Sequence, residues 1–85
     1  MEFTGTLLED GDGKYITIQM RNKFKVGDEL EVLSPTDNFL KRFKVEEIID
    51  ENNNSIEECY KVMQIVKIKC SLKLNKGDIL RKDVL

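Results

Sequence analysis

Between Met20 and Leu33 the chain strings together a strand exit, a basic elbow, a Gly-Asp turn and the beginning of a second strand. Few folds can hold that succession. Gly27 tolerates a positive φ and Asp28 bonds the backbone beside it, so the pair marks a tight turn. Beyond it Leu30 and Val32 alternate with Glu29 and Glu31, the period of two that belongs to a half-buried strand. Ahead of it Phe24 and Val26 are apolar, while Lys23 and Lys25 point the other way. Two readings stand side by side: the corner of a small β-barrel, or a basic contact loop built from Arg21, Lys23 and Lys25.

The remaining chain punctuates itself in the same style. Glu2 to Glu9 reads as a first strand around Phe3, Gly5, Leu7 and Leu8, with Gly5 allowing close packing or a bend. Asp10-Gly11-Asp12-Gly13 then predicts a hairpin. The same residues could open a calcium loop, but Arg21 stands where its final acidic ligand belongs. Lys14 to Met20 alternates, with Ile16, Ile18 and Met20 on one face. Pro35 within Ser34-Pro35-Thr36-Asp37-Asn38 predicts a turn. Phe39 to Ile49 predicts a fourth strand carrying Phe39, Phe43, Val45 and Ile49 on one side, bent or bulged near Lys41 and Glu47. Asp50 to Ser55 is an exposed loop, and Ile56 to Tyr60 is either one helical turn or a short strand. Val62 to Cys70, β-branched throughout, predicts the most completely buried strand, and Ile79 to Arg81 closes the fold. Leu74-Asn75-Lys76-Gly77-Asp78-Ile79-Leu80 echoes the Gly27-Asp28 corner, as expected where two barrel corners meet one turn problem. The expected fold is all-β: a small antiparallel barrel of about six strands, closed or half-open.

Composition narrows the chemistry. An 85-residue chain buries about 60–65% of its unfolded surface, which leaves little room for an enclosed active site. It contains no histidine, so serine–histidine and cysteine–histidine catalysis are excluded within it, as are zinc sites with histidine ligands. Asp10, Asp12 and Asp28 sit in predicted turns, where backbone reasons suffice for Asp. Cys59 and Cys70 lack metal or redox spacing and read as two buried free thiols, with a single bridge as the alternative. No apolar run approaches the roughly 20 residues that span a bilayer and no signal peptide opens the chain, so a cytoplasmic, non-membrane protein is expected. Residues 59–85 carry seven basic against two acidic side chains, while residues 1–58 carry seven against fourteen.

Four blocks in order carry a resemblance: Arg21-Asn22-Lys23-Phe24-Lys25-Val26-Gly27-Asp28-Glu29-Leu30-Glu31, Phe43-Lys44-Val45-Glu46-Glu47-Ile48, Met63-Gln64-Ile65-Val66-Lys67-Ile68 and Gly77-Asp78-Ile79-Leu80-Arg81-Lys82. Together they resemble the C-terminal domain of peptidase family U-32, the collagenase-like peptidases. The resemblance implies an accessory barrel similar to the second domain of elongation-factor GTPases, attached to an N-terminal catalytic domain of the same polypeptide. It implies a parent labelled a protease, in a family where some members hydroxylate tRNA, ribosomal RNA or a quinone precursor without oxygen. Their iron–sulfur cluster belongs to the catalytic domain, and Cys59 and Cys70 match no part of its motif. Tyr60-Lys61-Val62 stands where many relatives have a His-Pro element.

On this basis residues 1–85 are expected to be one excised C-terminal accessory domain with no catalytic, metal or cofactor site of its own. It would aid substrate binding or orientation by the parent. An RNA-contact module is the alternative, with Arg21, Lys23, Lys25, Lys41, Arg42, Lys44, Lys67 and Lys69 as candidate contacts and Phe39, Phe43 or Tyr60 as stacking partners. A purely structural or oligomerisation domain is the third reading.

Overall fold

The computed structural model describes residues 2–34 and 37–82, and within them the side chains of residues 3–33 and 41–82. The Pro35 turn and the Phe39 side chain lie outside the described residues. Strands β1 (Glu2–Leu7), β2 (Tyr15–Met20), β4 (Glu29–Ser34), β5 (Asp37–Lys44), β9 (Ile65–Lys69) and β10 (Ile79–Lys82) are the six longer ones. The two-residue strands are β3 (Phe24–Lys25), β6 (Ile48–Ile49), β7 (Ser55–Ile56) and β8 (Glu58–Cys59). No helix occurs among the described residues, so none long and apolar enough to cross a membrane.

Eight strands form one antiparallel sheet in the order β5-β4-β10-β1-β2-β9-β6-β7, and β3 pairs with β8 separately. The sheet curls into a half-barrel. The marginal strand β5 and strand β6, next to the opposite margin β7, belong to one stretch of chain, interrupted only by Val45-Glu46-Glu47. That seam is tied to both sides: Val45 exchanges hydrogen bonds with Gly27 and Asp28, and the Glu47 carbonyl accepts from Lys69 N. Period-two alternation fills the interior. Ile16, Ile18 and Met20 of β2 meet Val66 and Ile68 of β9, with Leu7, Phe24, Leu30, Val32, Val45, Ile48, Leu74 and Leu80 in the same core.

The two Gly-Asp corners are one structural solution used twice. Gly27 and Gly77 have φ of 99° and 92°, the left-handed region that favours glycine. Asp28 Oδ2 accepts from Lys25 N at 3.0 Å, and Asp78 Oδ2 accepts from Asn75 N at 2.9 Å. Gly27 N donates to the Val45 carbonyl while Val45 N donates to the Asp28 carbonyl; Gly77, Leu7 and Asp78 repeat that exchange. Each corner thus pins one further segment of chain to the barrel wall.

Four expectations need correction. Phe3 is 56% exposed, because a bulge between Phe3 and Gly5 shifts the phase of β1 and turns Thr4 inward instead. Val26 is exposed because the turn begins there, and Ile48 rather than Ile49 enters the core because the seam resets the alternation. Val62 to Cys70 is not the most buried strand. β9 begins only at Ile65 and alternates, leaving Val62 69% and Met63 50% exposed. Of the two readings open for Ile56 to Tyr60, the strand one holds in part: Ile56 ends β7 and Glu58–Cys59 forms β8, where Cys59 pairs with Phe24.

Candidate functional site

The corner carries the first group of predicted contact residues. Arg21, Lys23 and Lys25 are all exposed, and the chain that bears them is held from behind. Arg21 N and Asn22 N donate to the Thr4 carbonyl, Met20 exchanges bonds with Met63 and Gln64, and Val26 N donates to the Glu57 carbonyl. Lys23 and Lys25 share a shallow groove with Asp28, Glu58 and Lys82. Lys82 Nζ lies 3.3 Å from Asp28 Oδ2 and 3.3 Å from the Lys23 carbonyl. The exposed large apolar side chains gather around the same corner. Phe3 sits where Asn22 Nδ2 donates to its carbonyl at 2.5 Å, and Tyr60, Val62 and Met63 occupy the loop that Met20 anchors, with Ile65 opening β9 just beyond it. Met63 takes φ 69°, a conformation that L-residues adopt only where the surroundings impose it.

A second group surrounds a cavity of about 450 Å³ beside the seam, a size typical of small-ligand sites. Arg42 and Lys69 stand at its mouth with Lys14, and Tyr15, Phe43, Cys70 and Leu72 supply apolar wall. Phe43 and Leu72 are half-buried against the core, so each shows one face to the cavity. Tyr15 is anchored by its hydroxyl, which donates to Glu47 Oε1 at 2.7 Å; that carboxylate raises the pKa of the phenol. Glu46 is the acidic residue of the lining, 3.9 Å from Lys69 Nζ.

Arg42 owes its position to Glu31. β4 runs between β5 and β10, and the registers Glu31↔Arg42 and Glu31↔Arg81 align three charges across three strands. Arg42 reaches Glu31 Oε2 at 2.8 Å, and the Arg81 guanidinium binds Glu31 Oε1. Arg81, followed by Arg42, holds the Glu31 carboxyl below the usual carboxylate range although its side chain is only 4% exposed. Strand alternation places Glu31 on the outer face, and the partners that cover it lie 11 and 50 residues away. No local pattern could have revealed them.

The other candidates fall elsewhere. Lys44 is exposed and lies across from Glu29, and Lys41 is half-buried across from Val32. Lys67 borders a small acidic depression with Asp50 and Glu51. The eight predicted residues therefore do not form one patch; Lys23 and Lys25 share one site, and Arg42 and Lys69 another. Tyr60 is exposed at the corner, whereas Phe43 belongs to the cavity. Cys59 and Cys70 are buried free thiols, and burial pushes the Cys59 thiol up to about 11. Among the described residues no group of three or more Cys, Asp or Glu is arranged to hold a metal.

Residues 1–81 match the model of the peptidase family U32 C-terminal domain. A tRNA hydroxylation protein P1 from Bacillus subtilis (strain 168) is 37% identical over 83 residues. The match covers 95% of this chain but 19% of that relative's length. Among solved structures, the C-terminal domain of a Geobacillus thermoleovorans protein assigned to the U32 peptidases superposes with a TM-score of 0.87 at 33% identity. It covers 98% of this chain and 93% of that one. The selenomethionine variant of that domain gives the same TM-score at 32% identity, covering 96% and 100%.

Proposed function

The chain is a C-terminal domain of peptidase family U32, and from that membership we propose that it is a non-catalytic accessory domain of a longer polypeptide, helping that polypeptide hold an RNA substrate of the tRNA class. The chemistry is assigned to the remainder of the polypeptide, because this sequence has no histidine and offers no nucleophile–base pair. The observation that carries the RNA reading is the corner, where Arg21, Lys23 and Lys25 stand among exposed aromatic rings, Phe3 and Tyr60. Unpaired RNA is bound by that combination: cations for phosphates, aromatic faces for bases. The description of the Bacillus subtilis relative as a tRNA hydroxylation protein supports the same substrate class.

The test is a titration of the domain with bulk tRNA at low and moderate salt, comparing wild type with Arg21→Glu/Lys23→Glu/Lys25→Glu. Phosphate contacts strengthen as salt falls, so the reading expects salt-sensitive binding that the triple variant weakens at least about tenfold. A flat isotherm for the wild type at low salt overturns it.

A second reading rests on the aliphatic part of the same corner. Val26, Val62, Met63 and Ile65 are exposed together, a composition suited to protein rather than RNA. Here the corner seats against the rest of the polypeptide. Val62→Asp/Met63→Asp would then loosen the domain in the full-length protein, seen as faster proteolytic release, while leaving tRNA binding by the isolated domain intact.

A further inference from the structure

The cavity beside the seam has a wall and mouth of different chemistry. The half-buried faces of Phe43 and Leu72 and the anchored ring of Tyr15 make an apolar slot, while Lys14, Arg42 and Lys69 ring its opening against one lining carboxylate, Glu46. Arg42 is oriented by its bonds to the buried Glu31 and to Glu29, so its position in the lining is set before any ligand arrives. Lys14 and Lys69 are exposed; Lys14 immediately precedes β2 and Lys69 ends β9, and the chain is paired there: Tyr15 lies across from Lys69, and Cys70 N donates to the Lys14 carbonyl. The two lysines therefore border the cavity from neighbouring segments of chain.

A planar group with an anionic tail satisfies both halves of this site. We propose that the cavity receives one unstacked nucleotide of an RNA strand, its base in the slot of Phe43, Tyr15 and Leu72 and its phosphate at Lys14 and Lys69. This rests on the RNA reading above and adds a second contact point. Lys14 and Arg21 lie at opposite ends of β2, about 17 Å or more apart at the rise of a strand, so one RNA must cross the barrel wall to use both. The cavity accordingly reads a base that has left its stack, whereas the corner meets an exposed backbone.

The experiment uses the 85-residue chain and the double variant Lys14→Glu/Lys69→Glu, whose exposed side chains leave the core untouched. Probes are a short unpaired oligoribonucleotide, 5′-AMP, 5′-CMP and inorganic phosphate, followed by backbone amide NMR shifts and by affinity at several salt concentrations. The expected result is oligonucleotide-induced shifts at Tyr15, Phe43 and Leu72. The double variant should lose at least about tenfold in affinity and about 1.4 in the slope of log K against log salt, two single-strand phosphate contacts at roughly 0.7 each. Equal oligonucleotide affinity and slope for wild type and double variant overturn the cavity site while leaving tRNA binding at the corner standing. Absence of any tRNA binding by the wild type overturns the RNA reading and this inference with it. Binding of AMP or CMP at the cavity without oligonucleotide binding there overturns the RNA source and makes the ligand a free nucleotide. Binding of phosphate as tight as that of the nucleotides overturns the role given to the slot.

Discussion

Gly5→Ala tests the close approach on which the barrel wall depends. Gly5 lies between two strands, across from Leu80 on one side and Met20 on the other. A methyl group there would stand 2.8 Å from the Gln19 carbonyl oxygen and 3.0 Å from Ile18 Cδ1. The oxygen cannot swing aside, since Gln19 is paired with Thr6 in β1 and with Ile65 in β9. β1 must instead retreat by roughly half an ångström to restore ordinary contact. Overpacking of this kind costs about 1–3 kcal/mol. Weakening two neighbouring ladder bonds adds about 0.5–1.5 kcal/mol each when lost outright, less when stretched, so a total of about 2–4 kcal/mol is expected. That is a large share of the roughly 4–13 kcal/mol available to a domain of this size. Urea unfolding followed by tyrosine fluorescence should show a lower midpoint at unchanged slope. A change below about 0.5 kcal/mol would refute the reasoning, because β1 would then be free to move without cost.

Further outcomes follow from individual buried groups. Thr4 is fully buried and its hydroxyl has no partner among the described residues, so Thr4→Val should be neutral or stabilising by about 1 kcal/mol in the same assay. Cys59 should resist alkylation in the native state. Its thiol pKa is raised by burial, so the stability it contributes is complete below the ordinary thiol range and is lost as pH rises towards about 11; Cys59→Ala should flatten that alkaline decline in a pH series of unfolding curves. Glu31 behaves oppositely. Its pKa is lowered by Arg81 and Arg42, so its contribution is present above the ordinary carboxylate range and disappears on acidification through the folded value; Glu31→Gln should make acid unfolding less steep and lower stability near neutral pH.

The fold was largely legible because its signals are local. Alternation from Tyr15 to Met20 needs only six consecutive residues, and each Gly-Asp corner announces itself through glycine's freedom at one position. The echo between residues 24–30 and 74–80 proved to be a shared hydrogen-bond pattern. What failed was phase. A bulge after Phe3 and a three-residue seam after Lys44 each reset which side faces inward, and neither alters the composition that a reader can count. The site was legible only as residue types. Basic residues and aromatics are visible in a sequence, but their division between corner and cavity depends on the curl of the sheet, which brings Arg42 of the marginal strand β5 to the cavity shared with Lys14 and Lys69 and leaves Lys67 among acids. Glu31, the group that orients Arg42, is legible least of all.

The pairing of Glu2 with Lys82 has a mechanical consequence. Force applied through residues 2 and 82 would load β1 and β10 from the same end of their ladder. Antiparallel hydrogen bonds lie across the strands, so such a pull opens them one after another and never in parallel. The barrel should therefore yield to tension between residues 2 and 82 well before it yields to tension between, for example, residues 15 and 82, which lie at opposite ends of their strands, so that the ladders flanking β1 must shear. As a tethered module it would be compliant towards traction, with the first bonds to part lying next to the corner that carries Arg21 and Lys23.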